Sequence, residues 1–223
     1  MSGMPDPSIQ LPIEFDVLAT FVSAVAGALV AVRRGYDYVG VFALAFVTGL
    51  GGALLRDGIF LQTGPAAVVR DSRIILAVLA ATLVSAAINQ LGRRLSLFVL
   101  VFDAVGLGVY AVVGADRSQA AGLGHLGAVL VGVVNAVGGG VLRDVLTREE
   151  PVLFKPGQFY GMAALTAAGV FVGLTACLTG YERPAAVAGA AAGVAMRLLA
   201  VRYDWKTRPL YWKDWKQHRG SVG

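Results

Sequence analysis

GGALLRD at residues 51–57 recurs as GGGVLRD at residues 138–144. The offset is 87, and five of the seven positions are identical. The same shift carries Phe15-Asp16 onto Phe102-Asp103, Val22 onto Val109, Ala24 onto Ala111 and Gly27 onto Gly114. It also carries Thr48 onto Asn135, one polar residue onto another inside an apolar run. A single GGxxxRD says little. Two copies at the offset that also aligns the Phe-Asp pairs point to internal duplication.

The sequence around the repeats has the composition of a membrane protein. The chain has 223 residues, of which 57% are hydrophobic and 15% charged. Ordinary soluble domains carry about 25% charged residues. Gly occurs 29 times, and mean hydropathy is +0.69. These values exclude a disordered chain, a disulfide scaffold and a typical cytosolic enzyme. The single cysteine, Cys177, forms no internal bridge and no metal cluster. The net charge of +5 is spread in short basic groups between apolar runs, the pattern of membrane orientation rather than of nucleic-acid binding.

A membrane helix needs about 20 mostly apolar residues. Seven candidate spans meet this, at 15–32, 38–55, 74–92, 95–115, 120–142, 158–181 and 184–201. The last is interrupted by Arg197, and its AAVAGAAAGVA core suits a closely packed central helix. Each repeat holds three spans, residues 15–92 and 95–181. Three is odd, so the second copy enters the membrane from the opposite side, as in many transport proteins. The expected fold is an all-α polytopic membrane protein, a 3+3 inverted repeat plus a seventh helix at 184–201. Residues 1–14 form an N-terminal extracytoplasmic segment without the basic start of a signal peptide. Residues 202–223 form a cytoplasmic tail with all three Trp and six basic residues, suited to the inner lipid surface. With the N-terminus outside, thirteen Lys and Arg fall on the inner side and five on the outer. The positive-inside rule therefore sets the N-terminus outside and the C-terminus in the cytoplasm.

Within the spans, Gly51-Gly52 and Gly138-Gly139-Gly140 admit two readings. They kink or break the second and fifth helices and free carbonyls toward a cation, or they let helices pack closely. Their duplication favours the break. Arg56-Asp57 and Arg143-Asp144 follow one turn later. They either snorkel at the headgroups or sit on a polar pathway between the repeats. Asp103 lies well inside an apolar run, and an intramembrane carboxylate marks a functional site by default. The other reading of Asp103 is a structural pair with an Arg across the repeat interface. Thr48 and Asn135 line the same pathway in this reading. The candidate pore or gate residues are thus Thr48, Gly51, Gly52, Arg56, Asp57, Asp103, Asn135, Gly138, Gly139, Gly140, Arg143 and Asp144.

Enzyme signatures are missing. GLGHLG at 122–127 follows no strand, so it fails as a dinucleotide motif. His125 and His218 are too few and too far apart for a metal site. No catalysis, no cofactor, no nucleic-acid partner and no metal beyond transient potassium is expected.

The paired GGxxxRD motifs, the Phe-Asp openings and EEPVLFKPGQFYGMAALTAAG at 149–169 resemble the prokaryotic trimeric intracellular cation channel (TRIC) family. The resemblance covers about 15–201. It implies a seven-helix subunit with inverted repeats, a homotrimer, and a potassium-permeable pore within each subunit. It places the family's glycine kinks of the second and fifth helices at Gly51-Gly52 and Gly138-Gly139-Gly140. Related bacterial membrane proteins have been labelled glycine transporters. The expected function is therefore a monovalent cation (potassium) channel in the cell inner membrane, in contact with membrane lipids. The alternative is a secondary transporter of a small amino acid such as glycine.

Overall fold

A computed structural model describes residues 11–88, 95–155, 159–178 and 180–205. All secondary structure among the described residues is helical. The α-helices are α1 (Ile13–Arg33), α2 (Tyr38–Leu55), α3 (Ala67–Arg70), α4 (Ser72–Ile88), α5 (Leu95–Ala120), α6 (His125–Leu146), α7 (Tyr160–Cys177) and α8 (Glu182–Arg202). A π-helical turn, Arg56–Leu61, extends α2, and a 3₁₀ turn, Val152–Phe154, follows α6. Lipid offers no hydrogen bonds to the backbone, so apolar runs of this length satisfy themselves as helices. Six helices are long and apolar enough to cross a membrane: α1, α2 with its π-turn, α5, α6, α7 and α8. The helix α4 is apolar but shorter, at 17 residues.

Several boundaries differ from the sequence expectation. The fourth span was expected to stop at residue 115, but α5 continues to Ala120. Asp116 and Arg117 read as loop charges, yet Asp116 is buried and Arg117 is ion-paired. The next helix begins at His125 rather than 120 and runs on to Leu146. The sixth expected span, 158–181, is Tyr160–Cys177. The seventh, 184–201, is Glu182–Arg202, with Arg197 buried inside it. The end of the third expected span, most of the N-terminal segment and most of the C-terminal tail lie outside the described residues.

Two helices organise the packing. The first, α1, packs against α2, α4 and α5, and α5 packs against α6, α7 and α8. The contact between α2 and α6 joins the two sets. One apolar cluster gathers Val25, Leu29, Leu44, Leu50 and Val78 from α1, α2 and α4. The other gathers Leu107, Val112, Tyr160, Phe171 and the buried alanines of α7 and α8. A Cβ added at Gly189 or Gly193 of α8 would stand 2.8 Å from the Ala167 carbonyl oxygen or 2.9 Å from that of Ala163. The small residues of α8 thus serve close packing on α7, as AAVAGAAAGVA suggests.

Tyr110 fastens three helices. Its buried hydroxyl donates to the Gly49 carbonyl oxygen of α2 and lies 2.8 Å from Thr20 Oγ1 of α1. Interhelical hydrogen bonds in membranes are worth about 0.6–2 kcal/mol. Tyr110→Phe keeps the ring and loses both bonds. A loss of roughly 1–2 kcal/mol in detergent unfolding is expected. An unchanged melting curve would remove this hydroxyl from the account of stability.

Candidate functional site

The duplicated Arg-Asp motifs build two similar clusters. In the first, Arg56 Nε donates to Asp57 Oδ1 at 2.7 Å, and Arg56 Nη1 lies 3.4 Å from Asp16 Oδ1. Asp57 Oδ2 also accepts from the Ala67 backbone N–H at 3.1 Å, which straps the loop after the π-turn. Arg117 Nη2 donates to Asp16 Oδ2 at 2.7 Å. In the second cluster, Arg143 Nε donates to Asp144 Oδ1 at 2.9 Å and Arg143 Nη1 to Asp103 Oδ1 at 2.8 Å. Asp144 Oδ2 accepts from the Val152 N–H at 3.0 Å. The guanidinium of Arg197 lies over the Tyr160 ring, 5.0 Å from its centroid. Asp16, Arg56 and Asp57 map onto Asp103, Arg143 and Asp144 at the offset of 87, so the contacts repeat as well as the letters.

This geometry decides between the sequence readings. Arg56 is 1% exposed and Arg143 5%, so neither snorkels to a headgroup. Each is compensated by two carboxylates, as buried charge requires. Asp103 does pair with an arginine, but within its own repeat rather than across the repeat interface.

The glycines do not break their helices. Both α2 and α6 stay α-helical through Gly51-Gly52 and Gly138-Gly139-Gly140, and the irregular π-turn starts only at Arg56. Neither helix is therefore broken at these positions. The glycines instead let two backbones touch. A Cβ on Gly52 would collide with the Asn135 carbonyl oxygen and stand 2.9 Å from its carbon. A Cβ on Gly139 would collide with the Thr48 carbonyl oxygen and stand 3.1 Å from its carbon. Gly51 faces the Gly139 Cα at 3.3 Å, and Gly138 faces the Gly52 Cα at 3.1 Å, each measured from the added Cβ. Since 52 maps onto 139 and 48 onto 135 at the repeat offset, the two contacts of the crossing are reciprocal.

Thr48 and Asn135 are buried at this crossing. The Thr48 hydroxyl donates to the Leu44 carbonyl oxygen at 2.7 Å. Asn135 Nδ2 donates to the Tyr110 carbonyl oxygen at 2.6 Å, while its Oδ1 is buried with no hydrogen-bond partner among the described residues.

Two cavities flank the crossing. The first, of about 520 Å³, is lined by Asp16, Arg56, Asp57, Arg70, Asp71 and Arg117, among others. The Arg73 guanidinium beside Asp71 holds that exposed carboxyl below the usual carboxylate range. The second, of about 350 Å³, is lined by Val30, Arg33, Arg34, Arg143, Asp144 and Glu149, with Arg34 and Glu149 ion-paired at its rim. Asp16 of α1 borders the first cavity and Val30 of α1 the second. At 1.5 Å per residue these positions are about 21 Å apart along the helix.

Eleven of the twelve candidate residues thus fall into two ion clusters and the crossing between them, while Gly140 faces the Tyr160 hydroxyl of α7. Sequence reasoning did not assign Arg117, Arg197 or Tyr160 to the site. Arg117 lies two residues past the expected end of the fourth span, and Arg197 interrupts the seventh. For Arg197 the available signal was a charge inside a predicted helix; Arg117 and Tyr160 carried none.

These features define a multi-pass α-helical membrane protein with buried charge clusters at both ends of a glycine-lined helix crossing. The chain belongs to the family described as glycine transporter, whose model matches it twice, over residues 14–90 and 100–176. It is 33% identical to a UPF0126 membrane protein of Deinococcus radiodurans, over 87% of this chain and 89% of that protein. It is 34% identical to the UPF0126 inner membrane protein YadS of Escherichia coli K12, over 86% of this chain and 92% of that protein. Its fold is similar to that of a TRIC trimeric intracellular cation channel orthologue from Rhodobacter sphaeroides. The TM-score is 0.80 at 35% identity, over 86% of this chain and 98% of that one. The TRIC resemblance read from the motifs is borne out.

Proposed function

We propose that the protein is a channel for monovalent cations, potassium among them, with one pore in each subunit of a homotrimer. The pore runs between the two repeats, along the α2–α6 crossing. The observation that carries this reading is the placement of two cavities at opposite ends of that crossing, each bordered by an arginine held between carboxylates. The similarity to a solved cation channel supports it. Three helices of each repeat and α8 make the seven-helix subunit, with the first cavity outside and the second on the cytoplasmic side.

The chemistry of the barrier follows from the charges. A fixed Arg repels a permeating cation, but two carboxylates around each Arg offset that repulsion. In this reading the backbone contact at the glycines is the closed gate. Conduction requires α2 and α6 to part and at least one Arg to swing from its carboxylates, which then face the ion. Thr48, Asn135 and its unpartnered Oδ1 stand where the ion would shed water.

The glycine-transporter family description favours a second reading, alternating access for a small amino acid. Arg56 would then hold the substrate carboxylate. Its 2.7 Å ion pair with Asp57 already occupies the guanidinium, which argues for the channel instead.

Potassium flux through purified protein in liposomes, with single-channel recording in planar bilayers, separates the two. Unitary cation-selective currents and no saturable glycine uptake are expected. Saturable uptake of radiolabelled glycine without unitary currents would replace the channel by the transporter.

A further inference from the structure

The duplicated clusters differ in one partner. Asp103 meets Arg143 at 2.8 Å, whereas its repeat mate Asp16 lies 3.4 Å from Arg56, at the far edge of hydrogen-bond range. The second oxygen of Asp16 is taken by Arg117 of α5 at 2.7 Å. At the offset of 87 the counterpart of Arg117 is Val30 of α1. Val30 borders the second cavity and has no charge to offer Asp103. Arg197 of α8 also acts on Asp103 electrostatically, yet Arg143 keeps its short bond to Asp103 beside it, whereas Arg56 does not keep a short bond to Asp16.

The surroundings fit a clamp. Asp116, the neighbour of Arg117, accepts the Leu11 backbone N–H at 3.1 Å. Leu11 and Asp116 are both buried, so the end of α5 is tied to the start of α1 where Asp16 sits. The Arg117 side chain is 19% exposed and borders the first cavity, while that of Arg56 is 2% exposed. Arg56 also opens the π-turn, and π-turns mark functional irregularities in helices. Arg143 opens no such turn: α6 continues as regular α-helix to Leu146.

We propose that Arg117 is a positioning residue for gating: by holding Asp16 it denies Arg56 a full ion pair, which makes the first cluster the end that opens. A carboxylate engaged by one short charged bond offers less to a second cation. Arg56 then leaves Asp16 by giving up only a long contact, and it carries Asp57 of its own helix with it. The second cluster, with its short Arg143–Asp103 bond, stays shut longer. The gating part rests on the channel reading; the competition for Asp16 does not.

Two measurements on the purified full-length chain test it. In detergent unfolding, the destabilisation of Arg117→Gln plus Asp16→Asn should fall short of the sum of the single losses. In addition, the coupling between Asp16 and Arg56 should grow in the Arg117→Gln background. Additive losses and an unchanged coupling overturn the proposal, whether or not the protein conducts. In single-channel records, Arg117→Gln should lower open probability about tenfold, the scale of one charged hydrogen bond gained by Arg56. Unitary conductance should hold or rise, because a cation has left the cavity. Arg117→Lys should restore open probability. Equal open probability in Arg117→Gln and the parent chain overturns the proposal. A parent chain silent in bilayers but showing the coupling defeats the channel reading and leaves the clamp standing.

Discussion

Gly52→Ala and Gly139→Ala should each prevent normal closure of the α2–α6 crossing. The added methyl meets backbone in both cases: the Asn135 carbonyl for Gly52 and the Thr48 carbonyl for Gly139. A flexible side chain can rotate away from a new methyl, but a carbonyl inside a helix cannot. The helices must separate, and every buried contact between α2 and α6 weakens with them. Overpacking costs typically 1–3 kcal/mol even where side chains can yield. A loss of about 3 kcal/mol or more is therefore expected, seen as a large fall in melting temperature and in monodisperse yield from detergent. Gly51→Ala should cost less, because its nearest obstacle is the tip of Leu142 at 2.6 Å. Gly169→Ala and Gly173→Ala are internal controls: both glycines are helical with nothing within 4 Å of an added Cβ. They should be neutral or gain up to about 1 kcal/mol from helix propensity. If Gly52→Ala melts with the controls, the crossing is looser than its backbone contacts require. A Gly52→Ala protein that stays folded should show higher open probability, because the same methyl wedges the closed crossing apart.

The glycine pairs also show where sequence reading stops. Their position was legible, since seven letters recur at one offset. Their job was not, because a broken helix and a crossed pair of helices want the same residue. What decides is the other helix, 87 residues away in the chain and touching in space. Asp103 is similar. Its cost in an apolar run marked it, but its partner Arg143 is set by how α6 lies on α5. The helix ends were misplaced for a related reason. Asp116-Arg117 looks like a loop until Leu11 and Asp16 supply the opposite groups, and Arg197 looks like an interruption until the Tyr160 ring lies beneath it. Apolar run length, by contrast, is a local property imposed by the bilayer, and it placed six long helices and α4 from composition alone. Length, hydropathy and repeats are written in the chain; pairing of charge is written only in the fold.

Asp103→Asn carries the other large effect, and it separates stability from conduction. Asp103 is not a free carboxylate awaiting a cation, because Arg143 already occupies it. Removing it leaves Arg143 with Asp144 alone, and leaves Arg197 nearby without that opposite charge. Breaking a buried ion pair from one side costs about 3–5 kcal/mol. Asp103→Asn should thus melt far below the parent chain. Adding Arg143→Gln removes the stranded cation, so the double variant should recover a large part of the loss. The reverse ordering, with the double variant worse by the full sum of the singles, would mean that the two groups act independently and that the 2.8 Å contact is not energetic. Conduction reads the other half. In the channel reading Asp103 faces the ion only after Arg143 has moved, so the asparagine variant should lose cation flux in liposomes even when it is reconstituted below its melting temperature. The double variant regains stability but not the carboxylate, so its flux should stay low. Flux that returns with stability would make Asp103 a structural counter-ion only, and would move the charge that attracts cations to Asp144 and Glu149 at the second cavity.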